Sequence, residues 1–167
     1  ECKKNFPVFI AVDSGMGRIG CYKEDITQLA KLIDTNEYLK LEGMISHFAV
    51  SDSIGKENED YTNKQLDYFM EAVKAVEELG SNPGIKSCSS SAAAIFYKNA
   101  QLDMVRPGII TYGYYPGDLT KDFLKENNID LDLKPVMTLE TTVSSIRKIY
   151  KGQSIGYGRT WIASKDT

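Results

Sequence analysis

Residues Leu102–Gly113 read LDMVRPGIITYG. Met104, Val105, Ile109 and Ile110 make this segment a short buried strand and its exit, yet Arg106 stands in the middle of it. A guanidinium is rarely buried without a partner, so the segment is expected to end where a polar site uses that charge. Whether it is the last of a series of strands decides the fold.

Upstream, three more apolar or β-branched runs alternate with helical patterns. FPVFIAVD (6–13) is expected as a strand, followed by a helix over about 24–33, where Ile26, Leu29, Ala30 and Ile33 recur at helical spacing. LKLEGMISHFAV supplies a second strand around Glu42 to His47. From Thr62 to Leu79 the residues Leu66, Phe69, Met70, Val73, Val76 and Leu79 form one helix face, and Gly80 falls where a C-terminal cap belongs. GIKSC reads as a third short strand, SSAAAIFYKN as a short helix and DMVRPGII as the fourth strand. Four β-then-α units in a row imply parallel strands joined by right-handed crossovers.

Beyond Tyr115-Pro116-Gly117 the pattern changes. A polar segment leads into PVMTLETTVSSIRKIYKGQSIGYGRTWIA, where β-branched residues alternate with polar ones and Lys151-Gly152 reads as a turn. A boundary is expected at about 118–132, separating a parallel unit over 1–118, a connector over 119–131 and a β domain from 132 to 167. Four parallel units leave two open sheet edges, whereas eight, in about 250 residues, close a barrel. The expected fold is therefore α/β, the second half of a (β/α)8 TIM-type barrel followed by the first strands of a C-terminal β domain.

Composition excludes several classes of function. The 167 residues are 42% hydrophobic and 26% charged, an ordinary globular balance. Lys and Arg total 20 against 23 Asp and Glu, and the net charge of −3 gives no reason to expect nucleic acid or an acidic membrane surface as partner. No apolar run is long enough to span a bilayer. Cys2, Cys21 and Cys88 are odd in number and form no CxxC pair, which argues against a metal site and fits a reducing compartment. The N-terminus, ECKKNFPVFIAVDSG, has neither an initiating Met nor a signal-length apolar stretch, so the chain is expected to be a piece of something longer.

In such barrels chemistry sits where strands end and loops begin. The first end carries VDSGMGRIG, with Asp13, two turn-forming glycines and Arg18; the second carries His47, the only histidine. The third carries SCSSSAAAI, whose hydroxyls and free N–H groups suit a phosphate, and the fourth carries Arg106, Gly108 and Ile109. Phosphate sites of barrels commonly use the last two loops, where the third and fourth ends would fall.

The segments VDSGMGRIG, GMISHFAVSD, CSSSAAAI, MVRPGIITYGYYP and GQSIGYGRTW occur in an order and spacing that resembles the fold-type III, pyridoxal-phosphate-dependent alanine racemases over nearly the whole chain. The resemblance implies a racemase fragment that interconverts L- and D-alanine, or serine, and supplies D-amino acid for peptidoglycan. By it the chain begins after the segment bearing the cofactor lysine and stops early in the β domain. Arg106 would face the pyridine nitrogen of pyridoxal 5'-phosphate, donating a hydrogen bond without surrendering its proton and so weakening the ring as an electron sink. His47 would link Arg106 to the catalytic Tyr157, and Ser91, Gly108 and Ile109 would hold the phosphate. Met16 and Arg18 would meet the substrate, Arg18 through its carboxylate. Tyr157 would serve as one of two opposed bases, reaching into the site of the partner subunit in a homodimer.

Two positions depart from the family pattern. Ala11 stands where many members carry a lysine, often carbamylated, which removes the anion that would orient Arg18; Ser90 stands where the family often has asparagine. Three rivals share parts of the pattern: a pyridoxal-phosphate homeostasis protein, which binds the cofactor without turnover but lacks the β domain, a fold-type III amino-acid decarboxylase, and a non-catalytic pyridoxal-phosphate-binding fragment that merely retains an enzyme's sequence. The resemblance implies a bacterial cytoplasmic setting, with no membrane contact by this segment, although the parent could be anchored through a segment outside it.

Overall fold

The computed structural model describes residues 5–167. One compact unit ends at Val136 and a second runs from Met137 to Thr167. In the first, strands β1 (Phe6–Ala11), β2 (Leu39–Ile45) and β3 (Ile85–Ser87) form a parallel sheet in the order β1-β2-β3. Helix α1 (Lys23–Asp34) connects the first pair and α2 (Lys56–Glu78) the second, as parallel pairing requires. The architecture is α/β. After β3 come the short helices α3 (Ser91–Phe96) and α4 (Lys121–Glu126).

The core lies between sheet and helices. Ile10, Val12 and Met44 from the sheet side meet Ile26, Ala30 and Ile33 of α1 and Leu66, Phe69, Val73 and Val76 of α2, all buried. Each fully buried large apolar side chain contributes roughly 1.5–3 kcal/mol. Met70, expected on that face of α2, is exposed, and Leu79 is only partly covered. Gly80, with φ +80°, follows the helix where the sequence placed its cap. Helix α2 begins six residues before the expected Thr62, at Lys56. Its first turns carry almost no apolar residues, so hydrophobic periodicity is silent there, but Glu57 and Glu59 favour the positive end of a helix.

The expected fourth strand is not formed, which corrects the reading of DMVRPGII. Residues 103–108 have no regular structure and make only two backbone bonds to the β3 region, from Asp103 N–H to Lys86 O of β3 and from Arg106 N–H to Ser89 O just beyond it, and Ile109–Tyr112 wind into a 3-10 turn. Pro107 has no N–H to continue a ladder, and the Ser87 hydroxyl donates to the Met104 carbonyl at 2.7 Å. A side chain thus supplies part of what backbone pairing would have supplied.

Residues 119–131 include α4, whose Leu124 is buried with Leu119 and Ala92 in a second small cluster. In the second unit, β4 (Ser154–Ile155) and β5 (Trp161–Ile162) pair antiparallel, and Gly152, at φ +85°, makes the turn read from Lys151-Gly152. The alternating segment 138–148 has no regular structure, contrary to a continuous strand reading; Leu139 and Ile146 are almost wholly exposed. Alternation makes a strand only when another strand accepts its backbone, and among the described residues none is aligned with that segment.

Candidate active site

All three parallel strands end on the same side, and the polar residues gather there. Just beyond β1, the buried Asp13 carboxylate accepts the N–H groups of Gly15 and Gly17, at 3.0 Å each. These bonds, that from Gly17 first, hold its carboxyl below the usual value. Gly15 and Gly17 have φ of +131° and +69°, which glycine alone adopts without strain, and the turn they make carries Met16 and Arg18. Asp13, read as a site residue, is a staple for this loop.

His47 lies two residues past β2 and is partly buried. Burial lowers its pKa from 6.5, with the positive charges of Arg18 and Arg106 pushing the same way and Asp52 opposing them. The imidazole is therefore neutral at pH 7. Arg106 is partly buried too, and burial lowers its pKa. It forms no ion pair among the described residues. Its guanidinium instead donates from Nη1 to Ser87 Oγ and from Nη2 to the Ser46 carbonyl, the latter at 2.6 Å. No hydrogen bond joins it to His47 in this structure; the two share a cavity wall.

Ser91 opens α3 and is buried. Its Oγ accepts the N–H of Gly108 at 2.8 Å and that of Ile110 at 3.5 Å, while the Ile109 N–H has no acceptor among the described residues. A Cβ on Gly108 would stand 3.8 Å from Ser91 Oγ, an ordinary van der Waals contact. A hydroxyl and converging amides are the donor set a phosphate takes. Ser90, at the N-cap of α3, makes no side-chain capping bond.

Two neighbouring cavities bring these residues together. One, of about 120 Å³, is lined by Ala11, Met16, Arg18, His47 and Arg106, among others. The other, of about 380 Å³, shares Met16, His47 and Arg106 and adds Ser91, Gly108 and Ile109. Ala11 forms part of the first wall, so the small side chain at that position leaves room beside Arg18 where a long one would fill it. Tyr157 belongs to the second unit, in the 3-10 turn Tyr157–Arg159, and its side chain is fully exposed. No group of three possible metal ligands occurs among the described residues.

Sequence reading missed the residues beneath the cavities. Ser46 and Ser87 receive the Arg106 guanidinium, and Gln65 of α2, wholly buried, reaches two of the loops. The signal for Gln65 was present: it lies four residues before Phe69 on the apolar face of α2, where periodicity asks for a hydrophobic side chain.

An α/β unit with its cavities at the ends of parallel strands, followed in sequence by a β segment, is the class that fold and site define. The family model "Alanine racemase, N-terminal domain" matches residues 1–116, and "Alanine racemase, C-terminal domain" matches 136–167. The chain belongs to the alanine racemase family. It is 42% identical over 160 residues to the alanine racemase of Treponema denticola, covering 96% of this chain and 40% of that protein. With the alanine racemase of Clostridium tetani it shares 40% identity over 162 residues, covering 96% and 39%. Among solved structures it is similar to alanine racemase of Clostridium difficile 630 (TM-score 0.77, 34% identity, 98% of this chain and 41% of that one). It is also similar to alanine racemase from Bacillus anthracis with bound L-Ala-P (TM-score 0.77, 29% identity, 97% and 40%). The chain spans about 40% of the length of the curated relatives it matches.

Proposed function

We propose that this chain is part of a pyridoxal-phosphate-dependent racemase that interconverts L- and D-alanine, with serine the competing substrate. The observation that carries the reading is the pair of cavities sharing Met16, His47 and Arg106, with Arg18 on one side and the Ser91 cradle on the other. The donor set fits the cofactor: Ser91 and the amides near Gly108 and Ile109 would hold its phosphate, and Arg106 would face its ring nitrogen. When bound, pyridoxal phosphate supplies an electron-withdrawing ring that acidifies the amino acid's Cα–H.

The chain's own groups then have distinct tasks. Arg106 presents a permanent charge, because even a lowered arginine pKa leaves it protonated at neutral pH. Arg18 binds the substrate carboxylate, and Met16 bounds the space for the side chain. Neutral His47 can donate from one ring nitrogen and accept at the other, which suits it to hold the Tyr157 phenol in place. Tyr157, supplied by the partner subunit of a homodimer, moves a proton at one face of Cα, and a lysine outside these residues serves the other face. In this reading residues 1–118 are half of a (β/α)8 barrel, 119–131 a connector and 132–167 the start of a β domain. The enzyme works in the bacterial cytoplasm and supplies D-alanine for peptidoglycan.

Soaking the full-length protein with pyridoxal phosphate tests the site. The phosphate is expected within hydrogen-bond reach of Ser91 Oγ and the Gly108 and Ile109 amides; finding it on the GMGRIG loop would overturn the assignment. Racemisation of alanine and serine, followed side by side, tests the activity and its preference.

A further inference from the structure

We infer that Gln65 is a positioning residue that fastens the loops bearing Arg18 and His47 to a single helix, so that the cavity walls hold one geometry. The inference rests on the racemase reading only for its catalytic consequence. Gln65 sits on α2 with its side chain 1% exposed. Its Oε1 accepts the Ala49 N–H at 2.9 Å. Its Nε2 donates to the His47 carbonyl at 3.4 Å and to Ser14 Oγ at 3.3 Å. One amide thus grips the backbone on both sides of Phe48 and the side chain at the start of the Arg18 loop.

Neighbouring groups extend the grip. One helical turn earlier, the Tyr61 hydroxyl donates to the Gly15 carbonyl at 2.9 Å, so two side chains of one face hold the same loop. Ser14 Oγ lies 2.7 Å from Ser46 Oγ, which donates to the Val12 carbonyl at 2.8 Å. The Ser46 carbonyl in turn accepts from Arg106. The network runs from α2 under the cavity to the guanidinium. A glutamine in an apolar face costs desolvation unless every polar atom is paired, and here both ends of the amide are paired with loop groups.

The test uses hydrogen exchange of the cofactor-free full-length protein. Gln65→Met keeps the volume and removes the three bonds; peptides covering 13–19 and 46–52 should exchange at least tenfold faster, while those from β1, β2 and α1 change less than twofold. Gln65→Glu keeps an acceptor for Ala49 N–H and loses both donors, so its loosening should be concentrated in 13–19. Unchanged exchange in both loops, or a uniform rise through the whole chain, overturns the inference. In the cofactor-loaded enzyme, Gln65→Met should lower kcat/KM per folded molecule at least tenfold and move the acid limb of the pH profile, which packing loss alone would not move. Loosened loops with unchanged kcat, KM and pH profile would also overturn it. Selective loosening in a protein whose unaltered form racemises nothing would sustain the fastening by Gln65 and remove the racemase reading instead.

Discussion

Arg106 Nη2 donates to the Ser46 carbonyl 2.6 Å away, while Nη1 of the same fork reaches Ser87 Oγ. One side chain therefore ties the 103–108 segment to the exits of β2 and β3. The Ser46 acceptor is backbone and no side-chain change can remove it. The planar geometry matters as much as the charge.

Arg106→Lys keeps the charge but cannot span both partners with one ammonium. Unfolding free energy should fall by about 2 kcal/mol, the scale of one charge-assisted hydrogen bond with its acceptor left short, measurable by urea denaturation. In the cofactor-loaded enzyme Arg106→Glu should slow racemisation and raise the share of turnovers that leave the amino group on the cofactor. An unchanged partition would mean that Arg106 does not face the ring.

Much of this arrangement was legible from residue order. β1, α1 and α3 lie where apolar runs and helical spacing put them and add buried residues to the core, whereas β2 runs over Leu39–Ile45, earlier than the expected 42–47, and β3, short as read, buries only Ser87. DMVRPGII misled because it has strand composition without a strand's partners: Pro107 lacks a donor and β3 offers only three residues. The network beneath the cavity was hidden for another reason. Ser46, Ser87 and Gln65 act through long-range hydrogen bonds, and nothing local marks a buried serine as a guanidinium acceptor.

Gly43 lies in the middle of β2, opposite Phe9 where the β1–β2 register shifts. A Cβ there would come within 2.3 Å of Phe9 Cε1 and 2.4 Å of the Ile85 carbonyl. Backbone on one side and a ring on the other leave no room, so Gly43→Ala should destabilise by about 3 kcal/mol, the upper part of the overpacking range. The midpoint of chemical denaturation checks this.

Asp13 makes stability depend on acid. Its pKa is lowered from 3.8 by the Gly17 and Gly15 amides, so the folded state favours the carboxylate. That contribution is full above the unfolded value of about 3.9 and is lost as pH falls through the lower folded value. Asp13→Asn retains an acceptor oxygen and loses the titration. Its unfolding free energy should vary less than that of the unaltered protein below about pH 4, read by denaturant titration at successive pH values.

His47 acts in a higher window. Its pKa is lowered from 6.5, chiefly by burial and then by Arg18 and Arg106, so the unfolded chain takes up the proton first on acidification. The stability of the neutral form is full above about 6.5 and is lost as pH falls toward the folded value. Arg18→Ala removes one of the repelling charges and should move the imidazole titration upward, observed by NMR with signals assigned through their loss in His47→Gln. No movement would place Arg18 too far from the ring to act on it.

Tyr157 separates catalysis from stability. Its side chain is fully exposed in its own unit, so Tyr157→Phe removes no buried bond and should change unfolding free energy by less than about 0.5 kcal/mol. If the phenol is one of two opposed bases, the same substitution in the full-length dimer should suppress solvent deuterium exchange at Cα of one alanine enantiomer by at least about 100-fold, the low end of general-base effects. Exchange from the other enantiomer should fall much less, because the lysine still serves its face. A dimer pairing a Tyr157→Phe subunit with a lysine-less subunit should form one site with both bases and one with neither, recovering partial activity only if the tyrosine crosses the interface. Equal loss for both enantiomers would rule out separate bases for the two faces, and no recovery in the mixed dimer would place Tyr157 in its own subunit's site.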